Sequence, residues 1–349
     1  MNINAAVFIL TQNTEVRRVY LKTSLYFLFK HFNGEPKYPV VIFHQGDYDS
    51  EAQRDILLSV RSSCRSCVSF RALDKEDFEY PSFIDQNKAK RCVATKVTPY
   101  WRGESYRKMC RWWLVHVQKY AVGYKYIMRI DDDSIIEEPI PDLFTWMHEK
   151  ELVYASNIMH LDCSLCCYGM KEFFEKQFPD KLEIIEKLFV KQEFPTRNAQ
   201  VSSFRSLLSI TQDPLPEVSE TMTVHAPLMY YNNFFITKTD FWQREDVRKV
   251  IRDIDENGSI FYIRWGDAPI QTLICMLMAG QRAVSRAVFK YSKRMQREAF
   301  LGDDLQYHCY LPSTYTETTC IMDKKKDTTG SVDKKQDATG IVDKKQDDA

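Results

Sequence analysis

Along the first part of the chain, short unbroken apolar runs alternate with stretches whose apolar positions recur at helical spacing. The run Ala5-Ala6-Val7-Phe8-Ile9-Leu10 predicts a strand over 5–11. Val16, Val19, Tyr20, Leu25, Leu28 and Phe29 predict a helix behind it, capped by Asn13 or Thr14 and closing near Asn33-Gly34. Tyr38-Pro39-Val40-Val41-Ile42-Phe43-His44 predicts a second strand, 51–60 a helix and 68–73 a third strand. Strands that are apolar throughout, rather than on alternate positions, belong to sheets covered on both faces. Strand and helix alternating at this spacing predicts a parallel sheet flanked by helices, the α/β class.

A polar loop over 80–101 leads to a predicted helix over 104–120 and then to a strand, Tyr124-Lys125-Tyr126-Ile127-Met128-Arg129-Ile130, that runs into Asp131-Asp132-Asp133 before Ile135-Ile136. Further along, Pro141 opens a short helix, 152–155 is a strand and 169–190 a helix. Residues 193–222, with Pro195, Pro214 and Pro216 among polar residues, predict a surface excursion without a regular element, a candidate lid. Order returns with a strand over 228–236, a charged helix over 239–255 ending at Asn257-Gly258, and an apolar helix over 271–279. From Met322 onward a ten-residue repeat of Asp, Lys, Gln and Thr carries too little apolar surface to offset chain entropy. The expected organisation is one domain over 1–321 and a disordered tail over 322–349.

The 349 residues hold 48 basic and 48 acidic side chains, so net charge gives no reason to expect bulk binding of nucleic acid or anionic membrane. No run reaches about 18 apolar residues, and the first is too short for a signal-peptide core; a soluble chain is expected, cytoplasmic if it is complete. Of the ten cysteines, Cys64/Cys67 and Cys163/Cys166 have the spacing of zinc half-sites. Buried free thiols, or disulfides in an oxidising compartment, are the competing expectations.

The chemistry concentrates at Asp131–Asp133. Adjacent carboxylates repel, and a fold keeps them where a cation or solvent compensates the charge. Hard oxygen ligands suit Mg²⁺ or Mn²⁺; a solvated acidic turn is the plain alternative. In an open α/β sheet the carboxyl ends of the strands are where ligands bind. Arg107 and Arg111, four apart on a predicted helix, have the spacing to grip a diphosphate; otherwise they project into solvent or pair with carboxylates.

Four stretches in order, Ser105-Tyr106-Arg107-Lys108-Met109-Cys110-Arg111, Tyr126-Ile127-Met128-Arg129-Ile130-Asp131-Asp132-Asp133, Asn233-Phe234-Phe235-Ile236 and Tyr262-Ile263-Arg264-Trp265-Gly266-Asp267-Ala268-Pro269, resemble glycosyltransferase family 15, the fungal Golgi α-1,2-mannosyltransferases. The resemblance implies a GT-A-type mixed sheet in a single catalytic domain, Mn²⁺ or Mg²⁺, and transfer of mannose from GDP-mannose, with retention, to a glycan or glycoconjugate hydroxyl. It implies Asp131 and Asp133 as metal ligands, at positions where relatives carry Glu-Pro-Asp. His308 in Tyr307-His308-Cys309 is then a third ligand, Tyr106, Arg107, Arg111 and Arg129 hold the nucleotide, and Asp132 is supporting or solvent-facing. Asp267 has two readings that are not exclusive, a base that positions the acceptor hydroxyl and the cap of the helix beginning at Ala268-Pro269. Where the family carries a glutamate proposed to lie against the anomeric carbon, this chain has Phe235, which cannot act as a nucleophile. Asp240 or Asp267 is the candidate replacement, or the leaving phosphate serves as base in front-face departure. The alternative function is a catalytically silent sugar-nucleotide or glycan-binding protein. The fungal relatives are membrane-anchored through a stem; a form without its anchor is expected here.

Overall fold

The structure, a computed structural model, describes residues 3–293 apart from 36, 196 and 213–219, together with the backbone of 300–301 and 307–308. The tail expected over 322–349 lies outside the described residues.

Ten strands carry the architecture: β1 (Ala5–Leu10), β2 (Val40–His44), β3 (Val68–Ala72), β4 (Tyr126–Ile130), β5 (Ser134–Ile136), β6 (Tyr154–Leu161), β7 (Phe189–Pro195), β8 (Thr221–Lys238), β9 (Val284–Arg286) and β10 (Tyr291–Lys293). The main sheet runs β3-β2-β1-β4-β8-β6-β9, with β7 added on β8. The first four strands in this order are parallel, β8 is antiparallel to β4, β6 and β7, and β9 returns parallel to β6. The sheet is therefore mixed, as expected. β10 pairs antiparallel with β5 in a separate ribbon, setting Lys293 opposite Ser134.

The unbroken apolar runs are explained by burial on both faces. Side chains alternate across a strand, so Ala6 and Phe8 enter one core with Ile127, Trp112, Trp113 and Phe235, while Val7 and Ile9 enter the other with Met128, Ile130, Phe234 and Ile236. The second core is closed by Leu21, Leu25 and Leu28 from the helix Glu15–His31, whose cap is Thr14, accepting from the Arg17 amide. The two cysteine half-sites are separated by this sheet: Cys64 packs in one core and Cys166 in the other. Zinc shared between them is excluded by that separation, and the eight described cysteines are free thiols.

Several elements differ from the periodicity. The helix expected over 104–120 is interrupted: α-helical Glu104–Arg111 passes into a π-turn, Trp112–His116, before Val117–Tyr120. Two consecutive tryptophans seat against the sheet there, and Gln271 donates to the Trp113 carbonyl at 3.1 Å. The helix expected over 169–190 breaks at Pro179 into Met170–Gln177 and Leu182–Leu188, and β7 begins at Phe189. The stretch 193–222 is not an excursion without structure. It contains the end of β7, the helix Ala199–Thr211 and the start of β8, and Phe204, Leu207 and Leu208 of that helix are buried. The last two helices also shift: 239–255 divides into Thr239–Gln243 and Glu245–Asn257, and the final one begins at Asp267 rather than 271.

At Gly258 the backbone has φ +74°, and a Cβ would lie 2.7 Å from Tyr262 Cε2 and 2.9 Å from Ile84 Cδ1. Backbone strain and side-chain crowding act together at this junction, which leads toward Asp267. Gly258→Ala is expected to cost about 1–3 kcal/mol, read as a lower urea midpoint with unchanged slope.

Candidate active site

β4 ends where its ladder with β8 makes a last step, the Asp131 amide donating to the Asn233 carbonyl at 2.9 Å. The Ser134 amide donates back to the Asp131 carbonyl at 3.0 Å, so the three aspartates form a tight turn between β4 and β5. None faces bulk water freely: Asp132 is fully buried and Asp133 nearly so.

Three cations, Arg17, Arg129 and Lys293, meet the carboxylates of the turn, Arg17 and Lys293 serving two each. Asp131 accepts from Arg129 Nε on one oxygen and Lys293 Nζ on the other, both at 2.8 Å. Burial opposes its ionisation, but Arg129 and Lys293 outweigh that and hold its pKa below the ordinary value. Asp132 accepts from Thr11 Oγ1 at 2.6 Å and Arg17 Nε at 2.9 Å, and its second oxygen pairs with Arg17 Nη2. Burial pushes the Asp132 carboxyl up to about 7, with Arg17 acting in the opposite direction. Asp132 is therefore the supporting residue of the turn, and a solvent-facing role is corrected by its burial. Asp133 lies 3.5 Å from Arg17 Nη1 and 3.7 Å from Lys293 Nζ.

Arg129 links this turn to a second acid. Its Nη1 donates to Asp267 Oδ2 at 2.7 Å, and its guanidinium lies 4.3 Å over the Trp113 ring. Burial lowers the arginine's affinity for its proton; Asp131 and Asp267 reverse this and raise it. Asp267 Oδ2 also accepts from Asn232 Nδ2 at 2.6 Å. Asp267 is the first residue of its helix, one past the N-cap position, which Gly266 holds. Its carboxylate is held beside the cavity by Arg129 and Asn232.

These groups border a cavity of about 1010 Å³ whose lining includes Tyr106, Arg129, Asp131, Asp267 and Lys293. That is at the upper end of the range for ligand pockets. On another wall Arg264 has φ +86° and donates through Nη2 to both Asp162 oxygens, at 3.0 and 3.2 Å. A non-glycine residue in the left-handed region beside a cavity is strain of the kind found at functional sites.

Several expected residues stand elsewhere. Arg107 is buried and donates to the carbonyls of Phe261 at 2.7 Å and Trp101 at 3.1 Å. Arg111 makes a two-pronged pair with Asp255 at 2.7 and 2.8 Å. Both bind protein groups, not the cavity, so the diphosphate grip assigned to them is corrected: their helical spacing served packing. Asp240 is corrected as well. β4 pairs Tyr126 with Lys238 at the end away from the aspartates, so Asp240, beyond Lys238, lies at the opposite edge of the sheet. Its exposed carboxylate pairs with Lys238 at 3.0 Å. Phe235 is buried, stacked on Tyr154 at 5.3 Å and edge-on to Trp113 at 5.9 Å. The side chain of His308 lies outside the described residues.

Arg17, Lys293, Asn232, Asp162 and Arg264 were not singled out by sequence. Arg17 had one available signal: parallel pairing of β1 and β4 brings the residues after β1 to the Asp131 edge. Lys293 had none.

Arg111→Ala would leave Asp255 buried without its main partner. A loss of about 3–5 kcal/mol of stability is expected from urea unfolding, with ligand affinity at the cavity unchanged in the folded fraction.

With the geometry in place, the family model described as glycolipid 2-alpha-mannosyltransferase matches residues 1–336. Glycolipid 2-alpha-mannosyltransferase 1 of Candida albicans is 26% identical over 285 residues, 79% of this chain and 58% of that protein. The Saccharomyces cerevisiae glycolipid 2-alpha-mannosyltransferase is 25% identical over 273 residues, 77% of this chain and 55% of its own length. The chain thus spans little more than half the length of these curated relatives. Among solved structures, the mannosyltransferase Ktr4p of S. cerevisiae in complex with GDP aligns with TM-score 0.65 at 20% identity, covering 82% of this chain and 71% of that one. Core-mannan synthase A of Aspergillus fumigatus in its Mn/GDP form aligns with TM-score 0.63 at 20% identity, covering 83% and 74%. The sheet is the GT-A-type fold of these neighbours. No helix among the described residues is long and apolar enough to cross a membrane. A match along nearly the whole sequence places this chain in the glycolipid 2-alpha-mannosyltransferase family, glycosyltransferase family 15.

Proposed function

We propose that this chain is a metal-dependent retaining mannosyltransferase, taking mannose from GDP-mannose to a hydroxyl of a glycan or glycoconjugate. The observation that carries the reading is the convergence of Asp131 Oδ2 and Asp133 Oδ1 on one cationic point, 2.8 and 3.7 Å from the Lys293 ammonium, at the rim of the cavity. Two hard oxygens directed at one cation fit Mn²⁺ or Mg²⁺, and the relatives whose structures contain GDP, in one case with Mn, support the donor. When bound, the ion would supply Lewis-acid neutralisation of the diphosphate.

The remaining work falls to the chain's own side chains. Arg129 fixes Asp131 and Asp267 in one frame, so the diphosphate end and the acceptor end of the cavity keep a constant separation. Preorganised charge of this kind needs no rearrangement as the reaction proceeds. Asp267, oriented by Arg129 and Asn232, is placed to orient or accept the proton of the incoming hydroxyl. Tyr106 and Arg264, 5.5 Å from guanidinium to ring centre, also line the cavity. Phe235 offers no charge, and its ring is committed to Trp113 and Tyr154. Transfer by front-face departure, in which the hydroxyl attacks on the side from which the phosphate leaves, therefore requires no carboxylate at that position.

The test is GDP release from GDP-mannose by purified protein with Mn²⁺ and a simple mannoside acceptor, compared with the other common nucleotide sugars. GDP-mannose is expected to be turned over fastest; absence of turnover with every donor, despite metal-dependent GDP binding, would overturn the enzymatic reading. Asp133→Ala should abolish metal-dependent GDP binding, and intact binding would remove the acidic turn from the mechanism. Asp267→Asn is expected to lower kcat roughly a hundredfold or more with GDP affinity little changed.

A further inference from the structure

The acidic turn gathers four carboxylates, Asp131, Asp132, Asp133 and Asp267, against three cations, Arg17, Arg129 and Lys293, among the described residues. The three cations are not equivalent. Arg129 is buried, bonded to two acids and stacked on Trp113. Arg17 forks onto the fully buried Asp132. Planar, multiply bonded guanidinium groups of this kind are held in place by geometry.

Lys293 differs in shape and reach, a compact ammonium at the end of a flexible stem. Its side chain is 25% exposed and lines the cavity, and its ammonium bridges Asp131 and Asp133 as a point charge. It lies 5.6 Å from the centre of the Tyr231 ring. Its backbone is pinned across from Ser134, immediately after the acids, so the four-carbon stem can redirect the ammonium without moving the strand. Lys293 thus occupies the point on which the proposed divalent ion would be held, and two cations cannot share it.

We infer that Lys293 is an exchangeable occupant of the metal point: its ammonium neutralises Asp131 and Asp133 in the free protein, yields them to the divalent cation, and then binds the diphosphate of the donor. This rests on the metal-dependent reading above and adds an order of events to it. Without the exchange, a divalent ion would meet a third positive charge at bonding distance from its own ligands. With it, the displaced ammonium stays at the cavity rim, where a nucleoside diphosphate brings the negative charge that accepts it. Donor binding and metal binding are then coupled through one side chain.

The consequence is a pair of opposite effects that an ordinary stabilising ion pair would not produce. Lys293→Met keeps the apolar stem beside Tyr231 and removes the charge. Mn²⁺ affinity without nucleotide, from the free-ion paramagnetic resonance signal, is expected to rise roughly tenfold, the order expected for removing one neighbouring positive charge. GDP affinity at saturating Mn²⁺, by calorimetry, is expected to fall by a similar factor. Lys293→Arg, which keeps the charge, should leave Mn²⁺ affinity near that of the unaltered protein. Unchanged or weaker Mn²⁺ binding by Lys293→Met overturns the exchange, as does undiminished GDP binding. If the unaltered protein binds neither Mn²⁺ nor GDP, the metal-dependent reading itself fails. Binding of both by the unaltered protein, with no opposed shift in Lys293→Met, removes only the exchange.

Discussion

Three consecutive aspartates at the end of a buried strand would drive that strand apart from its neighbours unless their charge were answered, and here it is answered by one cation of the same strand and two from distant parts of the chain. Arg17 comes from the helix after β1, Arg129 from β4 itself and Lys293 from β10. The site can exist only when all three elements are docked. Arg129 carries the largest share of this dependence, because it also holds Asp267 and rests on Trp113. Burial penalises each of these charges separately; mutual pairing offsets the penalty, and removing one member exposes the rest to it.

The fold supplies the conditions for that pairing. Parallel alignment of β1 and β4 delivers Thr11 and Arg17 to the edge where Asp132 lies. The antiparallel entry of β8 between β4 and β6 brings Asn232 and Asn233 to the same edge, one to orient Asp267 and the other to end the β4 ladder. The π-turn places Trp113 under the Arg129 guanidinium, with Gln271 on its carbonyl. Irregular helix geometry at this point is consistent with the tendency of π-turns to mark functional positions. The left-handed Arg264, one residue before the buried Trp265, belongs to the same pattern of local strain held by tertiary contacts.

Much of this was legible beforehand, and the failures share a cause. The strands β1 and β2 follow from unbroken apolar runs, β3 and β4 from shorter runs in the same alternation with helices, and the acidic turn from its charge density. The arginines at 107 and 111 were misplaced because helical spacing reports which residues share a face, not what that face meets; it met Phe261, Trp101 and Asp255. The stretch 193–222 looked irregular because its prolines and polar residues conceal β7, which forms only by pairing with the first half of β8. Asp240 lies only five positions after Phe235 in sequence, yet the direction of the strand takes it away from the site. A strand of this length carries its two ends to opposite edges of a sheet, at roughly 3.3 Å per residue.

Sequence alone determined the α/β class, the family resemblance and the location of the carboxylates at Asp131 and Asp133, because hydrophobic periodicity and local charge are properties of neighbouring residues. Tertiary structure decided which cations compensate them, that Asp267 is held beside the cavity, and that Phe235 is core. Those outcomes depend on strand order, direction and register. They arise from contacts such as Asp131 with Lys293, 162 positions apart in the chain, for which no local pattern in the sequence carries a signal.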